Sequence, residues 1–290
     1  MTFSIITVCL DAARTIAQSI ESVLAQSRAA DEHIVIDGGS TDGTREIIER
    51  YRPRLSHVIF EPDEGIYDAF NKGLSRASGD VIGILNADDM YAPWALATVE
   101  AALRDERGVG VSYGKLAVVD EARRRWTVYP VGDHRRLRRC MSIAHPATFV
   151  TRETYERHGS FDASFRVSGD WDLMLRFLEG GVAFQPIDAT LTAFRNSGIS
   201  SAYSARRVEE DARIYRRWLP PMEAQGEILK MRAKRWGRWA IDALGLAEVY
   251  ARHRDERLLH AEASGTFDGD VDALWRGAAR SEEEIAKARA

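Results

Sequence analysis

Through the first third of the chain, short apolar runs rich in β-branched residues alternate with longer segments of helical period. The runs are SIITVCL from Ser4, HIVIDGG from His33, SHVIFEP from Ser56 and DVIGILN from Asp80. Each has the length and composition of a buried strand. Between the first two, Thr15 to Gln26 places Ile16, Ile20, Val23 and Leu24 on one helical face, with Glu21 and Gln26 off it. That spacing predicts an amphipathic crossover helix. After HIVID, the stretch GGSTDGT supplies a tight turn, Thr41 or Asp42 as a cap, and then Ile47 and Ile48 at the start of a second helix. Strand, turn and helix in this repeated order predict β-α-β units around a largely parallel sheet. A further strand is expected at VSYGKLAVVD, from Val111.

Open α/β sheets bind ligands in the crevice outside the carboxyl ends of their strands. The polar residues that end these runs converge there: Asp11 after the first, Asp37 after the second, Glu61, Asp63 and Glu64 after the third, and Asn86, Asp88 and Asp89 after the fourth. An acidic crevice repels a bare nucleoside diphosphate unless a cation lies between them. Hard carboxylate oxygens hold Mg2+ or Mn2+, and the remaining positions of such an ion take phosphate oxygens. The ordinary alternative makes Asp88 the cap of a helix near Pro93 and Asp89 a solvated loop acid.

Composition narrows the picture further. A chain of 290 residues with 45% hydrophobic content buries one full core and a smaller appended unit. The formal net charge of -4 argues against a global nucleic-acid binder. Two cysteines, Cys9 and Cys140, stand far apart without metal-ligand spacing, which suggests neither a disulfide framework nor a zinc site and fits a reducing, cytoplasmic compartment. The apolar run Phe3 to Leu10 has no basic leader and is too short for a signal peptide or membrane span, so it reads as a first strand.

TVCLDAARTI, IVIDGGSTDGT, GIYDAFNKGLSRASGD, LNADD and GDWDLMLRF occur in this order. In that combination the chain resembles glycosyltransferase family 2, inverting enzymes of the GT-A fold, over roughly Thr2 to Ser201. It looks closest to the bacterial members that build cell-surface polysaccharides or glycolipids. The resemblance implies an α/β, Rossmann-like GT-A fold with a mixed, mostly parallel sheet flanked by helices. It implies a catalytic domain over 1–203, with a nucleotide-sugar half to about 90 and an acceptor half beyond, followed by a helical extension over 204–290.

Residue by residue, the resemblance implies that Thr7, Val8, Leu10 and Asp11 line the nucleotide pocket and that Asp37 accepts a hydrogen bond from the base. Asp68, Asn71 and Lys72 are placed near the nucleotide or sugar. In LNADD, Asp88 is assigned to the metal, Asp89 to the metal or the residues behind it, and Asn86 with Ala87 to the ribose side. Asp170 matches the family's general base, which takes the acceptor hydroxyl's proton as that oxygen attacks the anomeric carbon. Asp172 is expected to favour the positive helix end. Trp171 either stacks on an acceptor sugar or packs, and His145 is an acceptor-side candidate. Arg195 is the candidate to stabilise the departing diphosphate. Four positions depart from the family pattern: Gly38 and Gly169 where acids are usual, Phe70 where many relatives carry Arg, and Asn86 for the first acid of the metal motif.

Two readings of function follow. The first is an inverting glycosyltransferase using Mn2+ or Mg2+, with a UDP-sugar favoured over a GDP- or dTDP-sugar, acting on a glycan or lipid-linked acceptor. The second is a non-catalytic nucleotide-sugar-binding or assembly protein; the departures favour it, and the retained Asp37, Asp88, Asp89 and Asp170 oppose it. A nucleotidyltransferase would need a basic N-terminal loop, where CLDAARTI offers only Arg14.

Outside these motifs lies a basic span with Arg123 to Arg125, Arg135, Arg136, Arg138 and Arg139, read as a phosphate-bearing acceptor site or a solvated loop. From Gln225 to Arg254 one amphipathic helix is expected, with Leu229, Ala233, Trp236, Ala240 and Leu244 on its apolar face and Lys230, Lys234, Arg235 and Arg238 off it. Packing against the catalytic domain or a second subunit in a homodimer is favoured for that face over peripheral contact with an anionic membrane. A short helix is expected over Asp268 to Ala290.

Overall fold

The computed structural model describes residues 1–106, 108–196, 204–243 and 261–289. The predicted runs become β1 (Phe3–Cys9), β2 (Glu32–Asp37), β3 (His57–Phe60) and β4 (Val81–Asn86). They alternate with α1 (Ile16–Leu24), α2 (Thr44–Tyr51) and α3 (Ile66–Leu74). All four strands are parallel, in the spatial order β4-β1-β2-β3. Their carboxyl ends therefore open on one edge of the sheet.

After β5 (Met90–Tyr91) and α4 (Ala95–Asp105) the sheet becomes mixed. The long β6 (Val109–Asp120) forms a hairpin with β7 (Arg125–Tyr129), and β8 (Thr148–Thr151) runs antiparallel between β6 and β4. The short α5 (Arg152–His158) and then α6 (Gly169–Glu179) lead to β9 (Ala183–Arg195), which pairs with β6 and β5. Beyond it come α7 (Ala205–Trp218) and α8 (Pro221–Ala243).

Strand β1 is buried at every position because helices cover both faces of the sheet. Its alternate residues feed separate clusters: Ile6 and Val8 meet Tyr67, Phe70 and Trp171 on one side, whereas Phe3 and Ile5 meet Val23, Leu96 and Val99 on the other. Several tens of such side chains leave water, each contributing about 1.5–3 kcal/mol before entropy is counted.

Two features of the C-terminal region differ from expectation. The extension, expected to be helical, also gives the sheet a strand, β10 (Ala263–Thr266), antiparallel to β7, before α9 (Val271–Arg289). On α8 the buried face is Ala224, Ile228 and Met231, while Leu229, Ala233 and Trp236 lie on the exposed side. A helix docked by one stripe can carry a second apolar stripe outward, so periodicity alone did not choose between them. Leu244 and the rest of the expected helix to Arg254 fall outside the described residues, as does the side chain of Ala240.

Candidate active site

At the carboxyl edge the loops after β1 and β2 are laced together. Asp11, whose φ of 49° is left-handed, accepts from the Thr41 amide at 2.8 Å and donates its own amide to Ser40 Oγ at 2.8 Å. The Ala13 amide donates to Asp42 Oδ2 at 2.9 Å, and the Ala12 amide to Thr44 Oγ1 at 2.8 Å. Leu10 is more than half exposed at this mouth. Thr7 and Val8 are buried beneath it: the Thr7 hydroxyl meets His33 Nε2 at 3.0 Å, and Val8 packs in the core. Asp37 is buried too. Its Oδ2 accepts from the amides of Gly39 and Ser40 at 3.3 and 3.1 Å, and its Oδ1 from the Ser40 hydroxyl and the Cys9 thiol. This carboxylate braces the turn. Burial, with Asp37 beside it, pushes the Cys9 thiol far above the usual range, so Cys9 is an inert core residue.

The loop after β3 is strapped to α3. Lys72 Nζ donates to the Pro62 carbonyl at 2.7 Å and pairs with Asp68 at 3.1 Å, and Asp68 Oδ2 accepts from the Glu64 amide at 3.1 Å. The Glu64 amide and Lys72 hold the Asp68 carboxyl below its ordinary value. Asp63 Oδ1 accepts from the amide of Gly65, whose φ of 126° demands glycine. Asn71 brackets Phe161 through its amide and carbonyl, at 3.1 and 2.9 Å. Both ends of its side chain are thereby held inside the protein.

At the end of β4, Asp89 has no exposed surface; it accepts from the Arg195 amide at 3.3 Å and from Asn86 Nδ2 at 3.4 Å. Burial and the neighbouring Asp88 push its carboxyl well above the usual range. Burial also raises Asp88, which forms no ion pair among the described residues. Asn86 Oδ1 is buried without a hydrogen-bond partner, and Ala87 is buried. The Arg195 guanidinium is held by Glu121 at 2.9 Å, the Asp88 carbonyl at 2.9 Å and Gln18. Among the described residues no three His, Cys, Asp or Glu side chains are grouped to hold a metal. A Mg2+-like ion that keeps water and substrate phosphate in its shell needs only one or two carboxylates. The desolvated Asp88, backed by Asp89 and the orphaned Asn86 oxygen, fits that kind of site.

Asp170 stands in the first turn of α6, half-buried. Its Oδ1 accepts from the Trp171 amide at 2.9 Å and lies 3.3 Å from the Tyr67 hydroxyl, while Oδ2 accepts no hydrogen bond among the described residues. Gly169 is explained by Tyr67, because a Cβ there would lie 2.8 Å from that ring. The segment leading into α6 is gripped by α7. Glu210 accepts from the amides of Arg166, Val167 and Ser168, each at 2.9 Å, and Asp211 accepts from the Ser168 hydroxyl at 2.6 Å. Burial raises the Asp211 carboxyl.

The neighbours of Asp170 turn inward. Trp171 is buried, donates to the Leu137 carbonyl at 2.6 Å and packs edge-on against Tyr215, so its ring is part of the core. Asp172 has no exposed surface; Arg176, Arg217 and the Trp218 indole converge on it at 3.0 to 3.2 Å. It joins α6 to α7 rather than facing the helix end. His145 stacks on Phe70, centroids 5.4 Å apart, and burial lowers its pKa against the opposing pull of Asp170. Phe70, at a position where many relatives carry Arg, is thus a core ring. An open cleft of about 230 Å³ lined by Leu116, Tyr129, Met141 and Ile143 lies beside the β6–β7 hairpin. Within the basic span Arg123, Arg135 and Arg138 pair with Asp120, Asp133 and Glu179. Tyr67, Glu121, Glu210 and Asp211 were not singled out from sequence; Tyr67 sits inside the GIYD motif, but the others carry no local signal.

Parallel strands ending in acids on one edge, continued by a mixed sheet, define the GT-A class of α/β architecture. Solved structures of that class match this chain. TarS from S. aureus (residues 1–349) covers 74% of this chain, which spans 64% of TarS, at 19% identity and a TM-score of 0.59. A mannosyltransferase from Pyrobaculum calidifontis, solved with GDP-Man and Mn2+, covers 88% of this chain and is itself covered over 80%, at 19% identity and a TM-score of 0.58. A PGL/p-HBAD biosynthesis glycosyltransferase of Mycobacterium bovis is 32% identical over 178 residues, 60% of this chain and 68% of the relative. Residues 4–159 match Glycosyl transferase family 2. The chain belongs to that family.

Proposed function

We propose that this protein is an inverting glycosyltransferase that moves a sugar from a nucleoside diphosphate sugar to a hydroxyl group of a glycan or lipid-linked acceptor, in the making of cell-surface polysaccharide or glycolipid. The observation that carries the reading is Asp170. One of its oxygens accepts from the Trp171 amide, with the Tyr67 hydroxyl 3.3 Å away, and the other is left open to accept a proton. Attack by the acceptor oxygen opposite the departing diphosphate inverts the anomeric centre, and Asp170 takes the proton that the hydroxyl loses. Asp88, backed by Asp89, would hold a divalent cation, which when bound supplies positive charge for the diphosphate. Arg195, fixed beside both acids, adds charge at the same end of the sheet.

Support for a nucleotide-sugar donor comes from TarS solved with UDP-GlcNAc and from the GDP-Man complex of the mannosyltransferase. Among the described residues no helix is long and apolar enough to cross a membrane. A peripheral site on the inner membrane face is part of this reading. It is supported by the outward-facing Met222 and Leu229 near Lys230 and Arg232 on α8. Thermal-shift titration with UDP-, GDP-, dTDP- and CMP-sugars, each with and without Mn2+, tests the donor assignment. One nucleotide sugar is expected to raise Tm, more so with metal. No shift with any of them would overturn it.

A further inference from the structure

Gly38 stands where the family pattern has an acid, and its neighbour Asp37 has both carboxylate oxygens engaged by the turn. The space that a side chain at 38 would occupy is filled from another loop. A Cβ built on Gly38 would lie 2.1 Å from Asp63 Oδ2. Asp63 is fixed there by its Oδ1, which accepts from the Gly65 amide at 2.9 Å. The loop itself is strapped by Lys72 to the Pro62 carbonyl and by Asp68 to the Glu64 amide. Oδ2 makes no hydrogen bond or ion pair among the described residues. The carboxylate is therefore pre-positioned, half-buried and unengaged on one side.

We infer that Asp63 reads the nucleobase of the donor, accepting a hydrogen bond from a ring imide N–H in place of the acid absent at Gly38. This deepens the donor assignment above and rests on it. Position supports it as well as chemistry. Asp88 and Asp89 follow β4, whereas Gly38 and Asp63 follow β2 and β3, two to three strands away in the order β4-β1-β2-β3. At about 4.8 Å per strand that separation is roughly 10–14 Å, a gap that a nucleoside bridges between its phosphates and its base. A carboxylate acceptor selects uracil, thymine or guanine, each of which carries an imide N–H, over cytosine and adenine, which carry none. Lys72 and Asp68 become positioning residues for this acid, which accounts for a strap on a loop that packs little apolar surface.

The test is a titration of the full-length protein, with Mn2+, against UDP and against UDP methylated at N3, in the wild type and in Asp63→Asn. Asparagine keeps an oxygen for the Gly65 amide while replacing Oδ2 by NH2, so the loop is expected to hold and Tm to stay close to that of the wild type. The wild type is expected to bind UDP about 10–100-fold more tightly than the methylated analogue, the range for a hydrogen bond to a charged group. The variant is expected to lose that preference. In Asp63→Ala, adding Gly38→Asp is expected to restore part of it. A preference of equal size in the wild type and Asp63→Asn would overturn this inference and leave the donor assignment standing. Absence of UDP, dTDP and GDP binding by the wild type would overturn both.

Discussion

The carboxyl edge of the parallel strands and the helix that carries Asp170 are stiffened in different ways. The edge is tied by bonds within its turns, Asp37 to Gly39 and Ser40, Asp63 to Gly65, Asp68 to Glu64, and by the lacing of the loops after β1 and β2. The segment leading into α6 is held by Glu210 and Asp211, acids 42 to 44 residues farther along the chain. One region is held by bonds within and between its own neighbouring loops, and the other is gripped by a helix that follows it, α7. Binding and chemistry should therefore separate when each is perturbed.

The largest effect is expected from Asp170→Asn, which keeps an oxygen for the Trp171 amide but cannot take a proton. Transfer should fall by about 10²–10⁴-fold with donor affinity unchanged. Weak donor binding together with normal turnover would refute the assignment. Asp88→Ala should act on the other side of the comparison. The Mn2+-dependent part of donor binding should disappear, and a titration in which added Mn2+ still tightens binding as in the wild type would remove Asp88 from the metal.

Glu210→Gln sharpens the contrast. Glutamine offers one oxygen to three amides, so kcat is expected to drop about tenfold, equivalent to about 1.4 kcal/mol. The donor KM should hold, and Tm should fall by a few degrees. A change in donor KM with kcat intact would tie Glu210 to the nucleotide edge instead.

The last effect is on stability alone and lies beneath that edge. Burial lowers the His33 pKa to about 3 from the ordinary 6.5, so the unfolded chain binds a proton between those values and the folded protein does not. The stability that His33 contributes is whole above about pH 6.5 and is lost as the pH falls, by at most about 1.4 kcal/mol per unit. Tm of His33→Gln should decline less between pH 6.5 and 4.5 than that of the wild type; parallel curves would contradict this.

What was legible in the sequence follows the same division. The parallel strands and the turn after β2 depend on periodicity and on residues a few positions apart, and both form, although the cap of α2 is the left-handed Gly43 rather than Thr41 or Asp42. Roles requiring knowledge of what lies across the fold did not come through. Asn71, placed near the nucleotide or sugar by the resemblance, has both ends of its side chain bonded to Phe161. Trp171 and Asp172 follow Asp170 in sequence, yet Tyr215 and Arg217 of α7 draw them into the core. Gly38 and Gly169 read as lost acids. In the structure one makes room for the Asp63 carboxylate and the other for the Tyr67 ring.

Lys115, in the middle of β6, has a buried side chain whose ammonium lies 2.7 Å from Asp188 and 2.6 Å from Glu262. Glu262 directly precedes β10, and the glycines at 265 and 277 admit the Trp126 ring of β7. A ribosome releases these residues after the strands they cover, β6 and β7. Until they emerge, the central sheet carries a buried cation lacking one of its two counter-charges and a tryptophan without its cover. Vectorial synthesis thus leaves the sheet waiting for a segment made well after β6 and β7. A protein shortened before residue 262 is expected to aggregate or be degraded as a nascent chain rather than persist as a smaller enzyme.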